Sequence, residues 1–145
     1  MEGFASRCGE RNSWTDKIEG IMDVTVKGSQ GHAGTVPMSM RQDPMSAAAK
    51  LIVLLESLCK RPEDFLSFNG HYKDTTVQSL STSLVCTVGE ISSWPSASNV
   101  IPGQVVFTVD VRAIDDMGRE AVIYELSKYW SWSMDAFGGK ATLFI

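Results

Sequence analysis

Gln104 to Ile114 alternates without a break, with Val105, Phe107, Val109, Val111 and Ala113 on one side and Thr108, Asp110 and Arg112 on the other. Successive side chains of a strand point to opposite faces, so this stretch demands a sheet with one apolar and one polar face. Something apolar must cover the first face. Met22, Val24 and Val26 alternate in the same way with Asp23, Thr25 and Lys27 from Ile21 onward, which predicts a first strand ending at Gly28. Asp43 before Pro44 then starts a helix: the carboxylate accepts orphan amides at the N-cap and Pro suits the first helical position. The helix runs to about Lys60 with Ala48, Leu51, Ile52, Leu55, Leu58 and Cys59 on one side, and Arg61-Pro62 stops it.

Pro62 to Gln78 reads as a polar connecting loop holding Asn69-Gly70 and His71, and Thr82 to Ile91 as a second strand. Ser92 to Gly103 is a long hairpin link. After Gln104 to Ile114, Asp115 caps a second helix along Val122, Ile123, Leu126, Tyr129 and Trp130, and Gly138-Gly139 turns into a strand over Ala141 to Ile145. The order is βαββαβ. It predicts an α+β fold, a ferredoxin-like sandwich with a four-stranded antiparallel sheet, two helices on one face and the other face open. Residues 1–21 have no repeating apolar side and read as an irregular segment before a domain at 22–145.

With 145 residues and 43% hydrophobic content the chain can bury an ordinary single core. A net charge of −4 with scattered Lys and Arg argues against nucleic acid or an anionic membrane as partner. No apolar run approaches the ~20 residues of a membrane span, and the first residues do not resemble a signal peptide. Cys8, Cys59 and Cys86 are odd in number and lack metal spacing, so they are expected as reduced thiols.

The chemistry-bearing stretch is Gly28 to Arg41, a glycine-rich loop between strand and helix with His32 at its tip. Two distant histidines and no His-x-Asp, His-Glu-x-x-His or Cys pair give no metal site in this chain, and no phosphate loop or nucleophile elbow is present. The chain alone is therefore not expected to catalyse. His71 has no ligand-type neighbour and reads as a solvated loop residue. What remains is His32, Asn99 and Arg112. Arg112 can take a carboxylate bidentately, Asn99 offers a donor and an acceptor, and His32 can donate to developing negative charge. Each also has a plain reading: His32 as a solvated turn residue, Asn99 as a turn former, Arg112 as a surface ion pair with Asp110 or Asp23.

Gly31-His32-Ala33-Gly34-Thr35-Val36-Pro37-Met38 with Arg41 and Asp43, Ser98-Asn99-Val100-Ile101-Pro102-Gly103, and Phe107-Thr108-Val109-Asp110-Val111-Arg112 together resemble the lid, or dimerisation, domain of the dinuclear-metal amidohydrolase/peptidase family. The wording between Gly28 and Ala49 is most similar to the plant allantoate deiminases. The resemblance implies a lid that binds a small anionic ureido substrate, pairs with a second copy through its edge strand and helix, and serves a hydrolase of purine catabolism. It further implies His32 as the catalytic oxyanion donor acting across the dimer, with Asn99 and Arg112 gripping the substrate's carboxylate end. The manganese or zinc pair is expected in a catalytic domain that this chain lacks. A stand-alone, non-catalytic dimerisation or ligand-binding module is the alternative.

The family octapeptide Gly-Ile-Ala-Gly-Gln-Thr-Arg-Leu is replaced here by Asn12-Ser13-Trp14-Thr15-Asp16-Lys17-Ile18-Glu19. Codons for Arg11 to Glu19 can be chosen so that a neighbouring frame spells it. The first 20 or so residues are accordingly expected to be an out-of-frame reading and the chain a fragment. Kinship with the plant enzymes implies the endoplasmic reticulum.

Overall fold

The computed structural model describes residues 18–66, 83–114, 119–120, 122–128 and 140–144. Cys8, His71, Asp115, Tyr129, Trp130 and the Gly138-Gly139 turn lie outside them. In chain order the elements are β1 (Ile18–Lys27), β2 (Gly31–His32), α1 (Pro44–Lys60), α2 (Pro62–Leu66), β3 (Val85–Trp94), β4 (Val100–Ile101), β5 (Gln104–Ala113), α3 (helical residues 119–120 and 122–128) and β6 (Lys140–Phe144).

The chain is mixed α+β with antiparallel sheets. The main sheet has the order β3-β5-β1-β6, and β2 pairs with β4 in a separate two-stranded ladder. β1 and β5 pair along their whole length, from Ile18 opposite Ala113 to Lys27 opposite Gln104. Met22, Val24 and Val26 therefore stand beside Val109, Phe107 and Val105, and all six are 0–1% exposed. They share one core with Ala47, Ala48, Leu51, Leu55 and Leu58 of α1 and with Val122, Ile123 and Leu126 of α3. Burial of each large side chain contributes roughly 1.5–3 kcal/mol, which is what holds the helices against this face.

The structure revises several sequence expectations. β1 begins at Ile18, so residues 18–21 are strand and not part of an irregular segment. The alternation is hidden there because Gly20 sits at a core-facing position with no side chain, and a Cβ built on it would overlap the Arg119 guanidinium. Pro62–Leu66 is helical, not loop, with Glu63 and Asp64 in its first turn where the helix dipole favours acids. The second strand is Val85–Trp94 and carries a register shift between Val88 and Glu90, a bulge at Gly89 that breaks its period. The link after it contains β4. Cys59 and Cys86 form a disulfide, with Cα atoms 6.2 Å apart, joining the end of α1 to β3. Spacing of 27 residues could not reveal that the helix returns the chain to the sheet beside that strand.

The N-cap expectation holds in detail: the Asp43 carboxylate accepts from the Met45 amide at 2.9 Å and Pro44 opens α1. This fixes where the glycine loop ends.

Candidate functional site

The loop between β1 and α1 is tied at both ends. Gly28 N–H donates to Gly103 O at 3.0 Å and Ser29 N–H to Gln42 O at 2.9 Å, so the loop leaves and rejoins the body beside the Pro102-Gly103 turn. Only glycine fits at 28, because a Cβ there would overlap the Gln42 carbonyl and meet Pro44 Cδ at 2.7 Å.

From this base the chain runs out as β2 and pairs with β4, Gly31 opposite Ile101 and His32 opposite Val100. Ala33 N–H extends the ladder by donating to Asn99 O at 2.9 Å. Ile101 is 3% exposed and anchors the ladder, while His32 and Asn99 are exposed. The two sequence-predicted residues, 67 positions apart in the chain, thus sit on adjoining segments of one small ladder.

The loop then turns tightly on the His32 carbonyl, which accepts from the Thr35 and Val36 amides at 3.3 Å each. Gly34 N–H donates to His32 Nδ1 at 3.0 Å. A ring nitrogen that accepts is unprotonated, so the neutral imidazole carries its proton on Nε2, away from its own backbone. His32 is thereby set up as a hydrogen-bond donor to something outside the loop. Glycine at 34 permits the approach: a Cβ there would press on the imidazole at 3.2–3.4 Å.

Arg112 stands elsewhere. It lies eight residues beyond Gln104 on β5, roughly 27 Å along the strand at about 3.4 Å per residue, opposite Val85 of β3. One chain therefore does not bring Arg112 to His32 and Asn99. On the polar sheet face its Nε and Nη2 bind the Asp110 carboxylate at 2.7–3.1 Å, with side-chain exposures of 46% and 28%. The same face carries Thr108 Oγ1 donating to Asp23 Oδ1 at 2.8 Å. The guanidinium is held side-on by the carboxylate two residues before it, which fixes its plane on the open face.

Sequence reasoning passed over Arg41 except as part of a motif. It is half-buried, and it donates from Nε to Val36 O at 3.0 Å and from Nη2 to Ala33 O at 2.6 Å. The available signal was a tight polar turn, full of carbonyls needing donors, with one long forked donor close behind it. Among the described residues no group of three or more His, Cys, Asp or Glu could hold a metal ion. The manganese or zinc pair that the resemblance implies has no fit on these residues. Nor, among them, is any helix long and apolar enough to cross a membrane.

With this geometry in view, the comparisons with known proteins are specific. The family described as peptidase dimerisation domain matches residues 9–132. Allantoate deiminase 2 of Glycine max is 79% identical over 107 residues, which is 74% of this chain and 22% of that protein. The chain thus spans about a fifth of the length of this relative. A hydantoinase/carbamoylase family amidase from Burkholderia ambifaria superimposes with a TM-score of 0.71 at 28% identity, over 87% of this chain and 26% of that one. AtUAH, crystallised in complex with (S)-hydroxyglycine, superimposes with a TM-score of 0.69 at 27% identity, over 86% of this chain and 25% of that one.

Proposed function

Because the chain belongs to the peptidase dimerisation domain family, we propose that it is the substrate-gripping lid and dimerisation domain of an allantoate deiminase-type amidohydrolase, and a fragment of that longer protein. The strand order β3-β5-β1-β6, with α1 and α3 contributing to one core, supports a ferredoxin-like βαββαβ sandwich as the domain's fold. The reaction assigned to the whole protein is hydrolysis of the ureido C–N bond of allantoate, a step of purine catabolism. The manganese or zinc pair that supplies activated water is assigned to a separate catalytic domain. This chain's own residues bind and orient the substrate.

The observation that carries the reading is the opposite placement of the two halves of the site. The His32–Asn99 ladder adjoins the Trp94 end of β3, where Trp94 O accepts from Gly103 N–H at 2.9 Å, and Arg112 stands opposite Val85 at the other end. Among the described residues β3 pairs only with β5, so its outer edge can take a second copy. Two β3 edges related by a two-fold axis pair antiparallel, and the Trp94 end of one then meets the Val85 end of the other. One protomer's Arg112 thereby approaches its partner's His32 and Asn99. The guanidinium takes the substrate carboxylate, the carboxamide adds a donor and an acceptor, and the Nε2 proton of His32 stabilises the oxyanion that forms at the ureido carbon. The imidazole and the guanidinium are oriented in advance, by Gly34 and Asp110 respectively, which lowers the reorganisation these two donors need.

The Cys59–Cys86 disulfide supports an oxidising compartment, in keeping with the endoplasmic reticulum.

Mixed dimers test the reading. His32→Ala and Arg112→Ala chains should each lose allantoate binding as homodimers, whereas mixing them should restore one intact site per heterodimer. No recovery on mixing, or a monomer by light scattering, would overturn it. The chain with manganese and allantoate is expected to release no ammonia.

A further inference from the structure

We infer that Arg41 is a positioning residue for His32: it fixes the peptide unit whose amide sets the imidazole's orientation and tautomer. The inference rests on reading His32 as a substrate donor. Arg41 Nη2 donates to Ala33 O at 2.6 Å, and Gly34 N–H donates to His32 Nδ1 at 3.0 Å. Ala33 O and Gly34 N belong to the same peptide unit. That unit is planar, with oxygen and hydrogen on opposite sides, so holding the carbonyl aims the amide. A charged donor on the oxygen also polarises the N–H and strengthens its bond to Nδ1.

Two further contacts close the frame. Arg41 Nε donates to Val36 O at 3.0 Å, bracing the far side of the turn that folds onto the His32 carbonyl, and Ala33 N–H donates to Asn99 O at 2.9 Å. One forked side chain therefore spans the turn, and the residue it grips is also the one that joins the His32 segment to the Asn99 segment. A lysine cannot replace it. An ammonium is a point donor on a flexible stem, without the rigid pair of N–H directions that meets two carbonyls at once.

The experiment uses the 145-residue chain with ¹⁵N-labelled imidazoles, and His71→Gln assigns the two histidines. In the parent chain the His32 nitrogens should give the well-separated signals of an Nε2–H tautomer. Arg41→Ala and Arg41→Lys should both move the two signals toward each other as the second tautomer fills. Leu55→Ala, which removes a side chain 2% exposed in the core, should leave them apart. Unchanged His32 signals in both Arg41 variants, or an equal change in Leu55→Ala, would overturn the inference. Failure of the functional reading looks different: allantoate titrations unaffected by His32→Ala while Arg41 still governs the tautomer.

Discussion

The amide of Ala33 donates to the carbonyl of Asn99 at 2.9 Å, which places a turn on each side of one ladder rung and sets His32 and Asn99 on adjoining segments. The rung is backbone, so the Asn99 carboxamide is not needed to build it. Asn99→Ala should change stability by no more than about 0.5 kcal/mol, as for an exposed position. Binding of allantoate should weaken about tenfold, the loss of one hydrogen bond to a charged group. Thermal melts and calorimetric titration separate the two effects.

Gly28 and Gly89 make a matched pair. A Cβ at 28 would strike the Gln42 carbonyl, whereas one at 89 would meet nothing within 4 Å. Gly28→Ala is expected to cost roughly 1–3 kcal/mol, since the backbone crossing at the loop base must shift. Gly89→Ala should stay within about 0.5 kcal/mol. Urea unfolding of both variants gives the comparison.

The Cys59–Cys86 bond closes a segment of 27 residues between α1 and β3. Loop-closure entropy for that length is about 3.5 kcal/mol, so the double variant Cys59→Ser, Cys86→Ser should lose a stability of that order. Dithiothreitol should lower the melting temperature of the parent chain and leave the double variant unmoved. An unchanged parent would show that the bond does not form in solution.

Val53 is 60% exposed on α1 and lines, with Ile52, Glu56, Thr87 and Val88, a groove between that helix and the edge strand. Val53→Asp should keep the monomer's circular dichroism and unfolding midpoint but lower the light-scattering mass to that of one chain, because the proposed dimer through the β3 edge would cover this groove and bury a charge without a partner. A dimer that survives the change places the interface elsewhere. Phe107→Ala serves as the opposite control: this side chain is 1% exposed in the core, and its loss should cost about 3–5 kcal/mol.

Much of the fold could be read locally. The period of two along β5 reports a strand covered on one face, because each side chain's direction is fixed by its own backbone. Asp43-Pro44 gives the start of α1 because capping is settled within three residues. Where a local signal was interrupted, the reading slipped: Gly20 leaves a gap in the alternation of β1, and the bulge at Gly89 shifts the phase of β3.

The sequence by itself determined which groups the chain has to offer, an imidazole in a glycine turn, a carboxamide before Pro102-Gly103 and a guanidinium on a polar strand face, since residue type and local period need no distant partner. Only the tertiary structure decided how they are grouped. Backbone hydrogen bonds between distant segments bring Asn99 to His32, sheet pairing leaves Arg112 opposite Val85 at the far end of β5, a disulfide joins Cys59 to Cys86, and the fold of the loop lays Arg41 across the turn. Such pairings depend on how sheet and helix return the chain through space, and spacing along the sequence does not encode that return.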